Sequence, residues 1–294
     1  MFGFLNVDKA KHKTSRQVVT AVQKLCKPLK VGHAGTLDPL ATGVLVICIG
    51  PATRLTPHAQ ALPKTYLAGF RLGFESDSED IFGDIQELPD VPSVSQSDIE
   101  AVLPEFVGEI EQVPPRFSAL KVDGKRAYNL ARKGVDFKLE SRKIMIDDIQ
   151  LKSLNYPDFE LEIQCGSGTY VRSLGRDIGR RLGSGAIMTT LQRTSIGDFH
   201  VSNSLNSNDL TLESVQRRLT KPQDFIKNLT YINVPDEQLQ LFGHGHAWTP
   251  TTPIDNQEVG ATDSSGRLLA ILNRRSADRY TPKTNFSKYW LDRT

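Results

Sequence analysis

The run from Gly32 to Leu45, Gly-His-Ala-Gly-Thr-Leu-Asp-Pro-Leu-Ala-Thr-Gly-Val-Leu, constrains the fold of this chain more than any other segment. It leads into an uninterrupted apolar stretch, Val44 to Ile49, which is short enough to be a buried strand. The glycines permit positive φ or a close approach of another backbone, and Pro39 biases Asp38 towards an extended conformation. We therefore expect a tight loop that presents the Asp38 carboxylate outside any helix.

An isolated Asp-Pro pair is usually only a turn signal, but the whole run resembles the catalytic motif of the TruB-type tRNA pseudouridine synthases. That motif reads Gly-His-x-Gly-x-Leu-Asp-Pro-x-Ala-x-Gly-x-Leu, and every fixed position is matched. Further segments resemble the family's other motifs in the same order along the chain: Lys64-Thr65-Tyr66, Phe117-Ser118-Ala119-Leu120-Lys121 with Gly124 and Tyr128, Gly168-Thr169-Tyr170-Val171-Arg172, and Leu191-Gln192-Arg193. The resemblance spans about residues 2 to 195.

The resemblance implies an α+β pseudouridine synthase fold, with a central mixed or antiparallel sheet flanked by helices and a small β-rich C-terminal domain. We expect a catalytic domain over residues 1–228, carrying a basic RNA-binding insertion at 116–143, and a PUA-like RNA-binding domain over 229–294. Within the last, Leu268 to Leu272 is the clearest strand. The segment 241–245, Leu-Phe-Gly-His-Gly, loosely resembles the family's RNA-binding appendage.

Local patterns predict several of the elements. Thr14 or Ser15 can cap a helix that ends near Pro28. Residues 116–129, with an Asp-Gly turn signal, read as a hairpin that leads into a helix. Residues 75–96 are rich in acids, serine and proline and read as a loop with little core content.

The activity implied by the resemblance is isomerisation of uridine to pseudouridine in the TΨC loop of tRNA (tRNA position 55). The C1′–N1 bond is broken and a C1′–C5 bond is formed, with no cofactor or metal. Detachment of uracil leaves an electron-poor sugar that a carboxylate can trap, and Asp38 is the only acid in the matched motif, so it is assigned as the nucleophile. Whether Asp38 attacks the base, attacks C1′ or abstracts a sugar proton stays open.

Three residues are expected to bind the target nucleotide. A stacked uridine has to be flipped out to reach a protein pocket, and His33 resembles the family histidine that fills the space it leaves. Tyr66 is expected to stack on the uracil and to help remove the C5 proton. Leu191 is expected to close the pocket, although a leucine there could equally belong to the core.

Two residues of the third motif are expected at the same site. Arg172 is expected to pair with Asp38 and keep that carboxylate ionised and oriented. Tyr170, two residues earlier on a segment expected to be extended, would point to the same side and line the uracil site. On spacing alone both could be ordinary residues at the end of a strand.

The formal net charge is only +2, but its distribution is uneven. Between Arg71 and Arg116 there is no lysine or arginine and acids recur, so that face is expected to avoid phosphate. Directly afterwards the insertion is rich in basic residues, which makes it the best electrostatic candidate for binding RNA. The expected RNA-binding residues are Lys9, Lys121, Lys125, Arg126 and Arg132. Lys9 is followed by Ala10 where the family usually has proline, so we expect a less rigid turn there.

Composition indicates a cytoplasmic protein, because no apolar stretch approaches the roughly 20 residues of a membrane span and no signal peptide is apparent. Cys26, Cys48 and Cys165 are widely spaced in apolar patterns. They read as buried core thiols rather than as a zinc cluster or a disulfide framework. The expected partner is the T arm of tRNA, with no obligatory protein partner, no membrane and a monomeric state.

Other functions are kept open. The chain could be a non-catalytic module that binds or folds tRNA, although the joint presence of Asp38, Tyr66, Tyr170 and Arg172 argues against loss of activity. It could be a guide-RNA-dependent enzyme of the related dyskerin-like branch, although long basic tails are absent and the C-terminal domain is short. A phosphate-binding hydrolase built on the glycine-rich loop is disfavoured, because no Gly-Lys-Ser/Thr ending follows.

Overall fold

The computed structural model of the protein describes residues 1–118, 120–122, 124–235, 238, 246–250, 254–276 and 279–291. Its strands, in chain order, are β1 (Gly3–Lys9), β2 (Val31–His33), β3 (Thr42–Ile49), β4 (Lys64–Leu72), β5 (Phe74–Ser76), β6 (Ile85–Glu87), β7 (Gly108–Gln112), β8 (Lys121–Val122), β9 (Lys125–Arg126), β10 (Arg142–Asn155), β11 (Asp158–Cys165), β12 (Ala186–Ile196), β13 (Phe199–His200), β14 (Leu205–Asn206), β15 (Thr230–Asn233), β16 (Glu258–Thr262), β17 (Leu268–Ser276) and β18 (Arg279–Asn285). The α-helices are α1 (Ser15–Leu25), α2 (Thr56–Ala61), α3 (Gln96–Val102), α4 (Ala127–Ala131), α5 (Val171–Arg181), α6 (Leu212–Arg217), α7 (Pro222–Phe225) and α8 (Ser287–Leu291). Short 3₁₀-helices lie at Gly50–Leu55, Leu103–Phe106 and Val201–Asn203.

A ten-stranded mixed sheet organises the first part of the chain, in the order β14-β1-β3-β12-β4-β11-β10-β7, with β2 beside β3 and β13 beside β12. Most neighbours are antiparallel, but β1 with β14 and β3 with β12 are parallel. This arrangement confirms the expected α+β class with a central mixed sheet.

The sheet has a narrow seam in its middle. The ladder between β3 and β12 consists of two residue pairs, Thr42 with Gln192 and Gly43 with Arg193, whereas β12 pairs with β4 along its whole length. The chain enters β3 from the glycine-rich loop at this seam. Where the two halves of a sheet separate, a loop can hold a side chain between them.

The principal core lies where helices α1, α3 and α5 cover one face of the sheet. Val18, Ile99 and Leu174 represent the three helices in this cluster and are at most 1% exposed. Helix α1 begins as predicted, because the Thr14 side chain accepts a hydrogen bond from the Gln17 amide and the Gln17 side chain accepts one from the Thr14 amide, an arrangement that satisfies two otherwise free amides.

The acidic segment 75–96 differs from its expectation of a loop with little core content. Strands β5 and β6 form a hairpin across its first part. Ser78, Glu79 and Asp80, at the tip, are less than 9% exposed. The prediction was wrong because polar side chains can be buried when neighbouring elements supply their hydrogen-bond partners, and composition does not reveal those partners.

A second, four-stranded sheet, β15-β16-β17-β18, lies near the end of the chain. The residues that follow β18 meet the start of the chain through aromatic contacts. The Phe2 ring lies 5.1 Å from Phe286 and 5.7 Å from Trp290, centroid to centroid. The division of the chain at residue 228 stays a prediction, and residues 241–245, compared above with an RNA-binding appendage, lie outside the described residues.

Two further expectations can be compared with the structure. The three cysteines are buried and free, as predicted. Among the helices in the described ranges, none combines the length and the apolar character that a membrane crossing requires.

Candidate active site

Asp38 lies in the loop between β2 and β3. The turn is closed by a 3.0 Å hydrogen bond that the Ala41 amide donates to the Asp38 carbonyl. The loop is fastened to helix α1, because the Ser15 hydroxyl donates to the Leu37 carbonyl at 3.1 Å and accepts from the Leu37 amide at 2.9 Å. Leu37 and Leu40 are buried on either side, while the Asp38 side chain keeps 35% of its surface exposed. The carboxylate is therefore fixed in place but open to a ligand, as the loop sequence predicts.

Gly43 shows why the loop needs glycine where it joins β3. Its φ is +94°, and a Cβ added there would lie 2.2 Å from the Arg193 carbonyl oxygen of β12. The Gly43 amide also donates a 3.0 Å hydrogen bond to Asp8 Oδ1. Only glycine allows both this conformation and this close approach, so the seam between β3 and β12 depends on it.

Arg172 pairs with Asp38, as the resemblance implies, with 3.0 Å between Nε and Oδ2. It lies in the first turn of α5 and is 5% exposed. Its other nitrogens are also engaged: Nη1 donates to the Ser78 carbonyl at 2.8 Å and lies 3.6 Å from Asp80 Oδ2, and Nη2 donates to the Phe117 carbonyl at 3.0 Å. A guanidinium with partners on every side holds its carboxylate in one orientation.

The Ser78–Asp80 tip is a part of the site that the sequence reasoning missed. The Ser78 hydroxyl donates to Asp80 Oδ1 at 2.7 Å, and the Ser173 hydroxyl donates to Glu79 Oε2 at 2.7 Å. Arg176 also contacts Glu79, whose backbone has a φ of +64° and whose carboxyl pKa is raised by burial. The acidic face expected to avoid phosphate thus includes carboxylates turned inward against α5. The only sequence signal was an acidic and serine cluster ending in Gly83.

Tyr66 lies on β4 and is 8% exposed. Burial raises the pKa of its hydroxyl, so the phenol is neutral near pH 7. The guanidinium carbon of Arg193 lies 6.0 Å from the ring centroid, at the outer limit of a cation–π contact. Tyr66 is thereby held between the sheet core and a buried cation.

Arg193 is a second residue that had been assigned no role. It is 1% exposed, its Nε donates to the Val44 carbonyl at 2.7 Å, and its Nη2 donates to the Gly35 carbonyl at 3.2 Å. It therefore ties β12 to both ends of the loop that carries Asp38. The sequence signal for Arg193 was its place in the matched motif Leu191-Gln192-Arg193. Its burial agrees with the rule that an arginine is rarely buried unless its donors are paired.

The prediction that Tyr170 and Arg172 share an extended segment was wrong. Tyr170 is extended (φ −102°, ψ 109°), but the helix α5 begins at Val171, so the two-residue spacing of a strand does not relate their side chains. The Tyr170 backbone exchanges hydrogen bonds with the buried Gln112 side chain at 2.8 and 3.1 Å. Its ring lies 4.6 Å from the guanidinium carbon of Arg142.

His33 and Leu191 are the two remaining residues expected to bind the target base. His33 ends β2, and its Nδ1 is buried with no hydrogen-bond partner among the described residues. Burial lowers its pKa, so the imidazole is neutral near pH 7. Leu191 is 7% exposed and packs in the same core cluster as Tyr66 and Leu40.

Lys9 is not available to an RNA phosphate, and the expectation that it binds RNA was wrong. Its side chain is fully buried, and Nζ donates to the carbonyls of Ala10 and Lys13 at 3.0 and 2.7 Å. Burial lowers its pKa to about 8, against the opposing attraction of Asp38 and Asp8. The turn after β1 wraps around the amine, which places a buried positive charge near the Asp38 carboxylate.

The basic insertion forms a hairpin, β8 and β9, followed by the short helix α4, as predicted. Lys121, Lys125, Arg126 and Arg132 are all exposed. Arg132 lies over the Tyr128 ring at 5.6 Å, whereas no ion pair with a described residue engages the other three. The base of the insertion reaches the site through the Phe117 carbonyl, which accepts from Arg172.

Comparison with known proteins identifies the family. Residues 23–171 match the model of the TruB family pseudouridylate synthase N-terminal domain, and residues 172–230 match that of the tRNA pseudouridylate synthase B C-terminal domain. The chain belongs to the TruB family of pseudouridylate synthases.

Relatives extend the match over most of the chain. The tRNA pseudouridine synthase B of Dehalococcoides mccartyi is 40% identical over 290 residues, covering 97% of each chain. That of Synechocystis sp. is 41% identical over 251 residues, covering 83% of this chain and 84% of the relative. A solved Cbf5-Nop10-Gar1 complex contains a chain with a TM-score of 0.73 and 24% identity, covering 97% of this chain and 85% of that one. This last likeness confirms the pseudouridine synthase fold.

Proposed function

We propose that this TruB-family chain isomerises uridine to pseudouridine in tRNA, in the T loop at tRNA position 55, with Asp38 as the nucleophile. The observation that carries the proposal is the pairing of a partly exposed carboxylate, Asp38, with a buried arginine, Arg172, inside the matched motif. The relatives named tRNA pseudouridine synthase B support the substrate class.

The geometry suits a reaction that only moves a bond from N1 to C5 of the base. Arg172 holds Asp38 in one orientation, so the carboxylate meets the incoming nucleotide without first having to be ordered. A carboxylate held in this way can act as a nucleophile. After uracil detaches, the base has to rotate so that C5 faces C1′, and a neutral Tyr66 can stack on it during that rotation.

The remaining roles follow from placement. His33, neutral and at the end of β2, is proposed to occupy the space vacated when the uridine flips out. Tyr170 and Leu191 are proposed to line and close the uracil site. The exposed Lys121, Lys125, Arg126 and Arg132 are proposed to contact phosphates of the T arm.

The proposal is tested by tritium release from C5-labelled uridine in an unmodified tRNA transcript, with the purified chain alone. We expect release by the wild type and none by Asp38→Asn, with tRNA affinity retained, because the substitution replaces one carboxylate oxygen and leaves the basic surface intact. Binding without release by the wild type would instead favour a non-catalytic tRNA-binding module. Loss of binding by Asp38→Asn would mean that Asp38 has a structural role.

A further inference from the structure

An exposed aromatic side chain lies beside the candidate site. Phe82 is 56% exposed, the highest value among the large hydrophobic side chains of the described ranges. It is two residues from Asp80, whose Oδ2 lies 3.6 Å from Arg172 Nη1. Since Arg172 pairs directly with Asp38, Phe82 closely follows in the chain a residue that supports this ion pair.

The backbone under Phe82 is held tightly. Its amide donates to Asp80 Oδ1 at 2.9 Å, and the Asp84 amide donates to Asp77 Oδ1 at 2.9 Å. A Cβ added to Gly83 would lie 2.2 Å from the same Asp77 oxygen. Exposing an apolar ring on such a pinned loop gives the fold little burial energy, whereas a preorganised ring binds a ligand at a low entropic cost.

A second ring, that of His12, lies beside Phe82 at the rim of the Asp38 loop. His12 is exposed, and its ring centroid lies 6.4 Å from that of Phe82, with the planes tilted by 50°. Its amide donates to the Pro39 carbonyl at 2.8 Å, directly after Asp38. The His12 φ of +67° is uncommon for a residue other than glycine. The neighbouring Lys11 is also exposed and brings a positive charge to this rim.

We propose that Phe82, with His12 beside it, is a stacking platform for the RNA base next to the target uridine. The inference rests on the proposed function and adds a substrate contact to it. When a nucleotide leaves its stack to enter the Asp38 site, a face of each neighbouring base loses its partner. An aromatic ring fixed at the rim replaces that partner for any base, because every base has a π face, and Lys11 attracts the adjoining phosphate.

The test uses the full chain and an unmodified tRNA transcript in which 2-aminopurine replaces, in separate molecules, the nucleotide on either side of the target. Stacking on an aromatic ring quenches the fluorescence of this base. The wild type is expected to quench one of the two probes, and Phe82→Ala and Phe82→Leu to lose that quenching. Phe82→Tyr, which keeps the ring, is expected to retain it.

The same variants are compared in tritium release. Phe82→Ala and Phe82→Leu are expected to raise KM for tRNA about tenfold, the usual effect of removing one stacked base, with a smaller change in kcat. His12→Gly is expected to raise KM without lowering the melting temperature, since glycine accepts the positive φ. Tyr156→Ala is the matched control, because Tyr156 is 48% exposed at the β10–β11 turn, near the opposite end of β4 from Tyr66.

The possible results separate this inference from the proposed function. If the wild type turns over tRNA but Phe82→Ala has an unchanged KM, the platform is overturned and the proposed activity stands. The same conclusion follows if Phe82→Leu retains full quenching. Faster turnover in Phe82→Ala at unchanged KM would also overturn it, because the ring would then obstruct entry. Quenching that depends on Phe82 in a wild type without turnover would support the platform and remove the proposed activity.

Discussion

Replacing Arg172 by lysine separates the charge of this residue from its geometry. The guanidinium meets Asp38, the Ser78 carbonyl and the Phe117 carbonyl in three directions, at 3.0, 2.8 and 3.0 Å. A lysine amine keeps the positive charge but cannot span these positions, because its donors leave a single atom. If the amine follows Asp38, both carbonyls lose a hydrogen bond to a charged donor.

The expected effects follow from those contacts. A hydrogen bond to a charged group contributes about 1.5–3 kcal/mol, so the loss of both lowers the free energy of unfolding by about 3 kcal/mol or more. A carboxylate displaced by about 1 Å loses on the order of a hundredfold in rate. We therefore expect the single-turnover rate constant for tritium release to fall about a hundredfold in Arg172→Lys, with a small change in tRNA affinity.

The assay is single-turnover tritium release at saturating enzyme, with urea unfolding measured alongside. Arg180→Lys is the control, since Arg180 lies on the same helix with 60% of its side chain exposed and a looser, 3.7 Å contact to Glu75. A rate for Arg172→Lys within threefold of the wild type, roughly the scatter expected of a neutral substitution, would refute the reasoning. Arg172 would then act through its charge alone.

Three further perturbations test other parts of the structure. Lys125→Ala combined with Arg126→Ala should weaken tRNA binding and reduce the slope of log affinity against log salt by about two, as measured by filter binding across salt concentrations; an unchanged slope would remove the insertion from the interface. Gly43→Ala should destabilise the protein by about 3 kcal/mol or more in urea unfolding, because its Cβ would meet the Arg193 carbonyl at a positive φ. Lys9→Met should alter the pH dependence of stability: the folded-state pKa of Lys9 is about 8 against a usual 10.5, so the unfolded state binds the extra proton between these values. Wild-type stability should therefore rise relative to Lys9→Met by up to about 3 kcal/mol from pH 8 to 10.5, and parallel stability curves would contradict this.

Much of the fold and the centre of the site could be predicted from local sequence. Glycines, a proline and a following apolar strand define the Asp38 loop, because turn conformations and short strands depend on neighbouring residues. The cap of helix α1 and the β8–β9 hairpin were predicted correctly for the same reason. The pairing of Arg172 with Asp38 came from the family resemblance, since no local rule relates residues so distant in the chain.

Tertiary structure decided how each of these groups is surrounded. Lys9 reads as a surface cation in the sequence, yet the following turn encloses its amine; Ser78 and Asp80 read as part of a solvated loop, yet they support Arg172. Arg193 lies in a matched motif, but its role became evident only from the pairing of β12 with β3 at Gly43. Burial and hydrogen-bond partners depend on which distant segments pack together. The sequence by itself determined which carboxylate is presented, and the packing of the sheet, α5 and the acidic hairpin determined what holds it.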